Sequence, residues 1–318
     1  MRKFIIGSRG SDLALWQTGF TKTALEKSFP QAEFEVRIIK TKGDAVLDKA
    51  LSKIGDKGLF TKEIETALLN KEIDLAVHSL KDLPTTQPAG LRIGAVSARE
   101  TPNDAFISKN HSSIEDLPKG ARIATGSLRR RSQLLNVRPD LEIREIRGNV
   151  PTRIEKLLAS DLDGMILAYA GVHRLGLDTH IKQIIPTEIL LPAVGQGVMA
   201  VEIREDDSEV SAMLEAINDP LVGACITAER AFLRRLEGGC QVPIGAFAVL
   251  EKDQIVLRGF VGSLDGATII CDSIRGAKSE AESLGVALAE KCLEAGASEI
   301  LSEARTAANA KASSEVLF

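Results

Sequence analysis

A short apolar strand, a polar loop and a helix follow one another near the N-terminus and again in the middle of the chain. This recurrence constrains the fold more than any other feature. Lys3 to Gly7 reads as the first strand, Ser8-Arg9-Gly10-Ser11-Asp12 as its turn and cap, and the next residues as an amphipathic helix carrying Leu13, Leu15, Trp16 and Phe20. In the middle, Arg122-Ile123-Ala124 is the strand, Thr125-Gly126-Ser127 the loop and Leu128 to Val137 the helix. Strands that alternate with helices imply an α/β class. At 318 residues the chain exceeds what one hydrophobic core usually organises, so two or three compact units are expected.

The intervening pattern extends this reading. Glu33 to Thr41 alternates as a strand through Phe34, Val36 and Ile38, and Gly58 to Leu69 reads as a helix with Phe60, Ile64, Ala67 and Leu68 inward. The polar stretch 43–58 between them is expected to be a mobile loop. Ile73, Leu75 and Val77 form a strand that ends at His78-Ser79-Leu80-Lys81-Asp82, before the turn residues Pro84 and Pro88. Ile143 to Ile146, Ile154 to Leu158 and Met165 to Ala168 continue a second α/β domain that begins near residue 100. Val198 to Ile203 reads as a strand and Asp206 to Ile217 as a helix, which return the chain to the first domain. A helix from Val222 to Leu236, stopped by Gly238-Gly239, leads to strands at Ile244 to Leu250, Ile255 to Val261 and Ala267 to Cys271. A helix over 279–295 completes a smaller α+β unit with a frayed tail after about 306.

Composition narrows the ligand. Net charge is −4, yet arginine and lysine bunch into a few short segments, a distribution that suits a small acidic molecule better than a polyanion. One Trp and one Tyr leave few platforms on which nucleic-acid bases could stack. The absence of a long apolar run and of a signal-like N-terminus points to a cytoplasmic protein without a membrane partner. Cysteines 225, 240, 271 and 292 include no C-x-x-C pair, so reduced thiols and no structural metal are expected.

Four segments carry possible chemistry, each with a plainer alternative. Gly7 to Ser11 presents N–H groups, hydroxyls and a guanidinium at a helix start, suited to an anion; it also reads as a capped helix with a solvated Arg9. Ser127 to Arg131, with Arg147 and Arg153 beyond, places guanidiniums near strand ends where they can clamp carboxylates, or forms a solvated helix face. In His78 to Pro84, Asp82 beside Lys81 can stabilise a developing cation, or shuttle a proton if burial raises its pKa; a cap is the alternative for Asp82 and a core role for His78. Cys240, in Glu237-Gly238-Gly239-Cys240-Gln241-Val242-Pro243, sits on a glycine-hinged loop from which a thiol can act as a nucleophile, whereas Cys225, Cys271 and Cys292 read as small apolar residues. Gly195-Gln196-Gly197-Val198-Met199-Ala200 matches the G-x-G-x-x-A fingerprint, but the residues after its glycines read as a strand rather than a helix.

Taken together, GSRGSDLALWQ, IIKTKGD, KGLFTKEIE, DLAVHSLKDLPT, GSLRRRSQL, IRGNVPTR, YAGVHRLGL, LPAVGQGVMAVE and EGGCQVPIGA resemble the porphobilinogen deaminase family in order and spacing over nearly the whole chain. The resemblance implies two α/β domains like those of type 2 periplasmic binding proteins, 1–98 plus 198–217 and 103–192, and a smaller α+β domain, 221–318. It implies a transferase of tetrapyrrole (porphyrin and heme) biosynthesis that deaminates porphobilinogen, joins four units head to tail and releases hydroxymethylbilane. The growing chain would be held on a dipyrromethane cofactor attached through Cys240. By motif matching, Asp82 would be catalytic with Arg9 and Lys81. Ser11, Lys53, Lys57, Thr125, Ser127, Arg129, Arg130, Arg147, Arg153, Arg174 and Gln196 would contact the acidic side chains of cofactor and substrate, with Lys53 and Lys57 on the mobile loop. A monomer is implied. Gly126 stands where many relatives have serine, and Ser8 replaces the commoner threonine.

Two other readings remain distinct from this one. A non-catalytic carboxylate-binding protein of the same architecture would leave Cys240 unmodified, and a nucleotide-dependent oxidoreductase would bind nicotinamide or flavin.

Overall fold

A computed structural model of the chain describes residues 2–45, 61–237 and 242–314. Most of the expected mobile loop, with Lys53, Lys57 and Phe60, lies outside the described residues, as do Gly238, Gly239 and Cys240. The chain divides into two compact units. One comprises residues 2–45, 61–100 and 197–223; the other comprises 101–196 and 224–314.

The first unit is built on a five-stranded sheet. Its elements are β1 (Lys3–Ser8), α1 (Asp12–Ser28), β2 (Glu33–Ile38), the short α2 (Lys42–Ala45), α3 (Lys62–Leu69), β3 (Leu75–Ser79) and β4 (Leu91–Val96). The strand order is β2-β1-β3-β10-β4, where β10 (Met199–Arg204) arrives from far along the sequence and runs antiparallel to both neighbours. β3 is buried on both faces, so its residues do not alternate between core and solvent as expected. Leu75 and Val77 join Phe4, Ile6, Phe34 and Ile203 in one core, while Ala76 joins Ile64, Leu68 and Leu91 in the other.

α1 turns out differently from the sequence expectation. Its buried face carries Ala14, Gln17, Thr18, Thr21 and Leu25, whereas Trp16 and Phe20 stack on each other at 5.4 Å and are 38% and 54% exposed. The polar face goes inward because the sheet presents hydroxyls that need partners. Thr18 Oγ1 donates to the fully buried Ser8 Oγ at 2.7 Å, and Gln17 Nε2 donates to Ser79 Oγ at 2.9 Å.

The second unit repeats the sheet plan. β5 (Asp104–Ile107), β6 (Arg122–Ala124), α4 (Leu128–Val137), β7 (Glu142–Arg144), α5 (Val150–Leu158), β8 (Gly164–Ala168), α6 (Tyr169–Arg174) and β9 (Ile181–Ile185) give the order β7-β6-β8-β5-β9. The parallel trio β7-β6-β8 corresponds to β2-β1-β3, and antiparallel β5 takes the place of β10. Both sheets are thus α/β and share one strand plan, the class that the strand–loop–helix recurrence implied. β4, β5 and β9 were not picked out from the sequence pattern, being short or partly polar.

After α7 (Ser208–Leu214) and α8 (Pro220–Arg235), an antiparallel meander follows, β11 (Ile244–Glu251), β12 (Gln254–Gly262) and β13 (Ile269–Ala277), covered by α9 (Ala281–Cys292) and α10 (Ser298–Ser314). α10 stays helical to Ser314, beyond the point where fraying was expected. The meander joins the same compact unit as the middle sheet. Ala246 N donates to Pro192 O at 3.1 Å, and Asn136 Nδ2 of α4 donates to Gly266 O at 3.0 Å. Gly266 has φ +73°, and a Cβ there would run into the backbone of Asn136 and Ser132, so glycine lets the β12-β13 turn lie flat on α4. Among the described residues no helix is long and apolar enough to cross a membrane, and no cluster of three His, Cys, Asp or Glu side chains could hold a metal.

Two features of the first unit generate tests. Gly197 holds φ +89° where the chain re-enters this unit, and a Cβ would collide with the carbonyl oxygen of Glu100. Gly197→Ala is expected to lower unfolding free energy by ~1–3 kcal/mol in urea titrations. Glu65, Glu202 and His78 meet in the interior, with His78 Nε2 3.2 Å from Glu202 Oε2. Burial pushes the Glu65 carboxyl above its ordinary value, and nearby Glu202 adds to the rise. A carboxyl raised in the folded state contributes stability below its unfolded pKa and loses it as pH climbs through the folded value. Glu65→Gln should therefore gain Tm relative to the parent on going from pH 4.5 to pH 7.5, as scanning calorimetry at the two pH values would report.

Candidate active site

In the first unit, β1 and β3 are adjacent and parallel, so their C-terminal ends and the loops that follow share one edge of the sheet, the usual ligand edge of open α/β sheets. Arg9 and Ser11 follow β1, and Lys81 and Asp82 follow β3 in a single 3-10 turn, Leu80–Asp82. That turn is held from below. Leu80 and Leu83 are buried, Leu80 N donates to Val198 O at 3.0 Å, and Leu83 N donates to Leu80 O at 3.1 Å. Asp82 itself is exposed and Lys81 half-buried. Ser11 occupies the N-cap of α1 in extended conformation, but its side chain makes no capping hydrogen bond. His78 takes the core role that was its plainer alternative.

In the second unit the same sheet edge carries the polar loop Thr125–Ser127 and the start of α4. The N-cap Ser127 accepts from Arg130 N, and Thr125 Oγ1, which is buried, accepts from Ser127 N at 3.2 Å. The three consecutive arginines then diverge. Arg131 Nε donates to Leu264 O in the β12-β13 turn at 3.0 Å. Arg129 and Arg130 point inward and are 4% and 7% exposed, so this part of α4 is no solvated face.

Both inward guanidiniums converge on Asp104, the first residue of β5, which the sequence reading did not single out. Arg129 Nη2 donates to Asp104 Oδ2 at 2.8 Å; Arg130 Nη2 and Nε donate to Oδ1 at 2.7 and 3.1 Å. Gln196 Nε2 donates to the same Oδ1 at 2.9 Å and to Pro102 O at 2.6 Å. Backbone oxygens take further donors, Leu191 O from Arg129 Nη1 at 2.7 Å and Ile166 O from Arg130 Nη1 at 3.1 Å. Burial alone would raise the Asp104 carboxyl, but the Coulombic pull of Arg129 and Arg130 and the hydrogen bonds to Arg130 and Gln196 outweigh it. They hold the group well below the usual carboxylate range. Two arginines share one carboxylate, which leaves the cluster with an excess positive charge. Arg129 Nε is buried with no hydrogen-bond partner. The signal for Asp104 in the sequence was an acidic residue directly before the apolar Ala105-Phe106-Ile107, since a charge at the head of a buried strand needs counter-ions.

The remaining basic candidates sit on neighbouring elements of this unit. Arg147 lies in the loop before α5, its Nε buried without a partner, and burial lowers its guanidinium from the ordinary value. Arg153 Nε donates to Gly148 O at 2.7 Å, and Asn149 caps α5 by accepting from Thr152 N at 2.9 Å. Arg174 ends α6 and is 9% exposed. The second unit thus brings Arg129, Arg130 and Gln196 into one cluster and distributes Arg147, Arg153 and Arg174 over the α5 and α6 segments. Buried guanidinium nitrogens that lack acceptors fit a ligand bearing several carboxylates. The strand at Met199–Arg204 directly after Gly195-Gln196-Gly197 has no helix to accept a dinucleotide phosphate, which removes the oxidoreductase reading of that motif.

Comparison with known proteins gives the family. The family profile described as porphobilinogen deaminase, dipyromethane cofactor binding domain, matches residues 4–212, and that of the porphobilinogen deaminase C-terminal domain matches 223–294. A protein of Carboxydothermus hydrogenoformans named porphobilinogen deaminase is 53% identical over 308 residues, covering 97% of this chain and 99% of its own. One of the same name from Desulforamulus reducens is 52% identical over 303 residues, covering 95% and 98%. Among solved structures, the methionine binding protein MetQ superposes with a TM-score of 0.41 at 13% identity, over 68% of this chain and 89% of that one. Family profiles that span both sheet units and the C-terminal meander, with relatives more than half identical from end to end, establish that the chain belongs to the porphobilinogen deaminase family.

Proposed function

We propose that this chain is a transferase that deaminates porphobilinogen, couples four units head to tail on a dipyrromethane cofactor and releases hydroxymethylbilane for tetrapyrrole synthesis. The observation that carries the reading is end-to-end identity above one half with proteins named for this activity, in a family whose profile is that of a dipyrromethane-binding domain. The proposal extends to covalent attachment through Cys240, to a three-domain division at 1–98 plus 198–217, 103–192 and 221–318, and to a cytoplasmic monomer without a nucleic-acid or membrane partner.

Bound dipyrromethane supplies two linked pyrrole rings with acidic side chains and a nucleophilic terminal α-carbon. Arg129, Arg130, Arg147, Arg153 and Arg174 are the residues that would hold its carboxylates and those of the substrate, supported by the excess positive charge around Asp104 and the unpartnered Nε atoms of Arg129 and Arg147. Thr125 and Ser127 precede the arginines of α4 and Gln196 bonds Asp104, and Arg9, Ser11 and Lys81 provide donors at the loop edge of the first unit. Lys53 and Lys57, which lie outside the described residues, belong to the same proposal.

Asp82 acts on the reacting centre. Its turn is anchored by two buried leucines while its carboxylate stays exposed, so a fixed negative charge is available to a substrate without reorganisation. That charge stabilises the cation that develops as ammonia leaves porphobilinogen. The same carboxylate can hold the proton lost from the pyrrole carbon after coupling.

Two experiments test this. Asp82→Asn keeps the side chain's size and removes its charge, and turnover of porphobilinogen is expected to fall by about 10²–10³-fold at unchanged Tm; a parent-like rate would take Asp82 out of the mechanism. Intact mass under denaturing conditions should exceed the sequence mass by two linked pyrrole units in the parent and match it in Cys240→Ala. Excess mass retained by that variant would place the attachment elsewhere.

A further inference from the structure

Asp104 is the one carboxylate among the described partners of Arg129 and Arg130, and it is fully buried. It opens β5, which pairs on both sides, with Ala168 of β8 and Ile185 of β9 in register with it. Its backbone therefore cannot shift without breaking the sheet. Its two oxygens are divided, Oδ2 to Arg129 and Oδ1 to Arg130 and Gln196. The arginines are consecutive on the first turn of α4, so without this carboxylate two like charges would repel in a desolvated space and swing away from it.

We infer that Asp104 is a positioning residue for cofactor capture: it neutralises one of the two guanidinium charges and fixes both forks, so that the remaining N–H groups, Arg129 Nε–H among them, are presented to a carboxylate of the dipyrromethane. This rests on the function proposed above. Two buried cations with one fixed anion leave room for one further negative charge, and a ligand carboxylate completes the balance. Gln196 belongs to the same device, because its amide ties Asp104 to the carbonyl of Pro102 in the segment just before β5. A substitution at Asp104 acts through the arginines and touches no reacting atom.

The test uses the full chain with porphobilinogen as the probe. Asp104→Asn, Asp104→Glu and the core variant Leu157→Ala, whose side chain is buried under a different part of this unit, are compared with the parent. Loading with dipyrromethane is followed by intact mass, folding by Tm, and the loaded fraction by kcat and KM. Asp104→Asn is expected to load about tenfold more slowly than the parent, the loss equivalent to one weakened charge-assisted contact, and its loaded fraction to show a raised KM with kcat little changed. Asp104→Glu keeps the charge and the fold but lengthens the arm by one methylene, and should fall between Asp104→Asn and the parent. Leu157→Ala should lose Tm and load at the parent rate. Parent-like loading and KM in Asp104→Asn would overturn the inference, as would parent-like values in Asp104→Glu if the asparagine variant does not fold. Loading losses in Leu157→Ala that match those at Asp104 for the same Tm would also overturn it. A parent chain that takes up no dipyrromethane from porphobilinogen would overturn the function and the inference together, whereas a loading parent with unaffected Asp104 variants would overturn the inference alone.

Discussion

Each α/β sheet of this protein depends on one strand that is out of sequence order and antiparallel to its neighbours. β10 returns from beyond the middle segment to sit between β3 and β4, and β5 leads into the second sheet to sit between β8 and β9. Without these insertions neither sheet closes its hydrogen-bond ladder, and β3 and β8 would present unpaired edges at the strands that feed the loop with Asp82 and the α6 segment with Arg174. The described chain therefore passes from one unit to the other three times, after Glu100, after Gln196 and after Gly223. Gly197, with its positive φ against the Glu100 carbonyl, lies where the chain re-enters the first unit.

The segments around Asp82 and around Asp104 handle charge differently. The first buries its carboxylates Glu65 and Glu202 beside His78, and leaves Asp82 exposed at the end of β3. The second buries Arg129 and Arg130 and pairs both with Asp104. Buried charges are costly unless paired, and removing one partner of such a pair typically costs about 3–5 kcal/mol. An exposed anion over a rigid turn and a buried cationic cluster with spare donors suit different tasks, stabilising a transient cation and holding a polycarboxylate. The reaction proposed for the family needs both.

α4 links the arginine cluster to the C-terminal meander. Its first turn faces Asp104, while Arg131 and Asn136 farther along bond the β12-β13 turn at Leu264 and Gly266. Three adjacent arginines thus divide between a charge cluster and a packing contact, because consecutive helical positions are rotated by 100° and meet different neighbours. Composition or charge-run arguments treat the three as equivalent, and only the helix's surroundings distinguish them.

The α/β class, the repeated strand–loop–helix unit, the third antiparallel segment and the family were legible in the sequence because they rest on local periodicity and on motif order. Arg129, Arg130 and Asp82 were legible as candidates for the same reason. The burial of Gln17 and Thr18 in place of Trp16 and Phe20 was not, since it depends on Ser8 and Ser79 offering hydroxyls across the sheet. Nor was Asp104, whose partners lie 25, 26 and 92 residues along the chain. Local sequence determines which residues can form a strand, a cap or a cationic run. The tertiary structure decides which charges are desolvated together, because that depends on strand order, which brings distant segments into contact and carries no local signature.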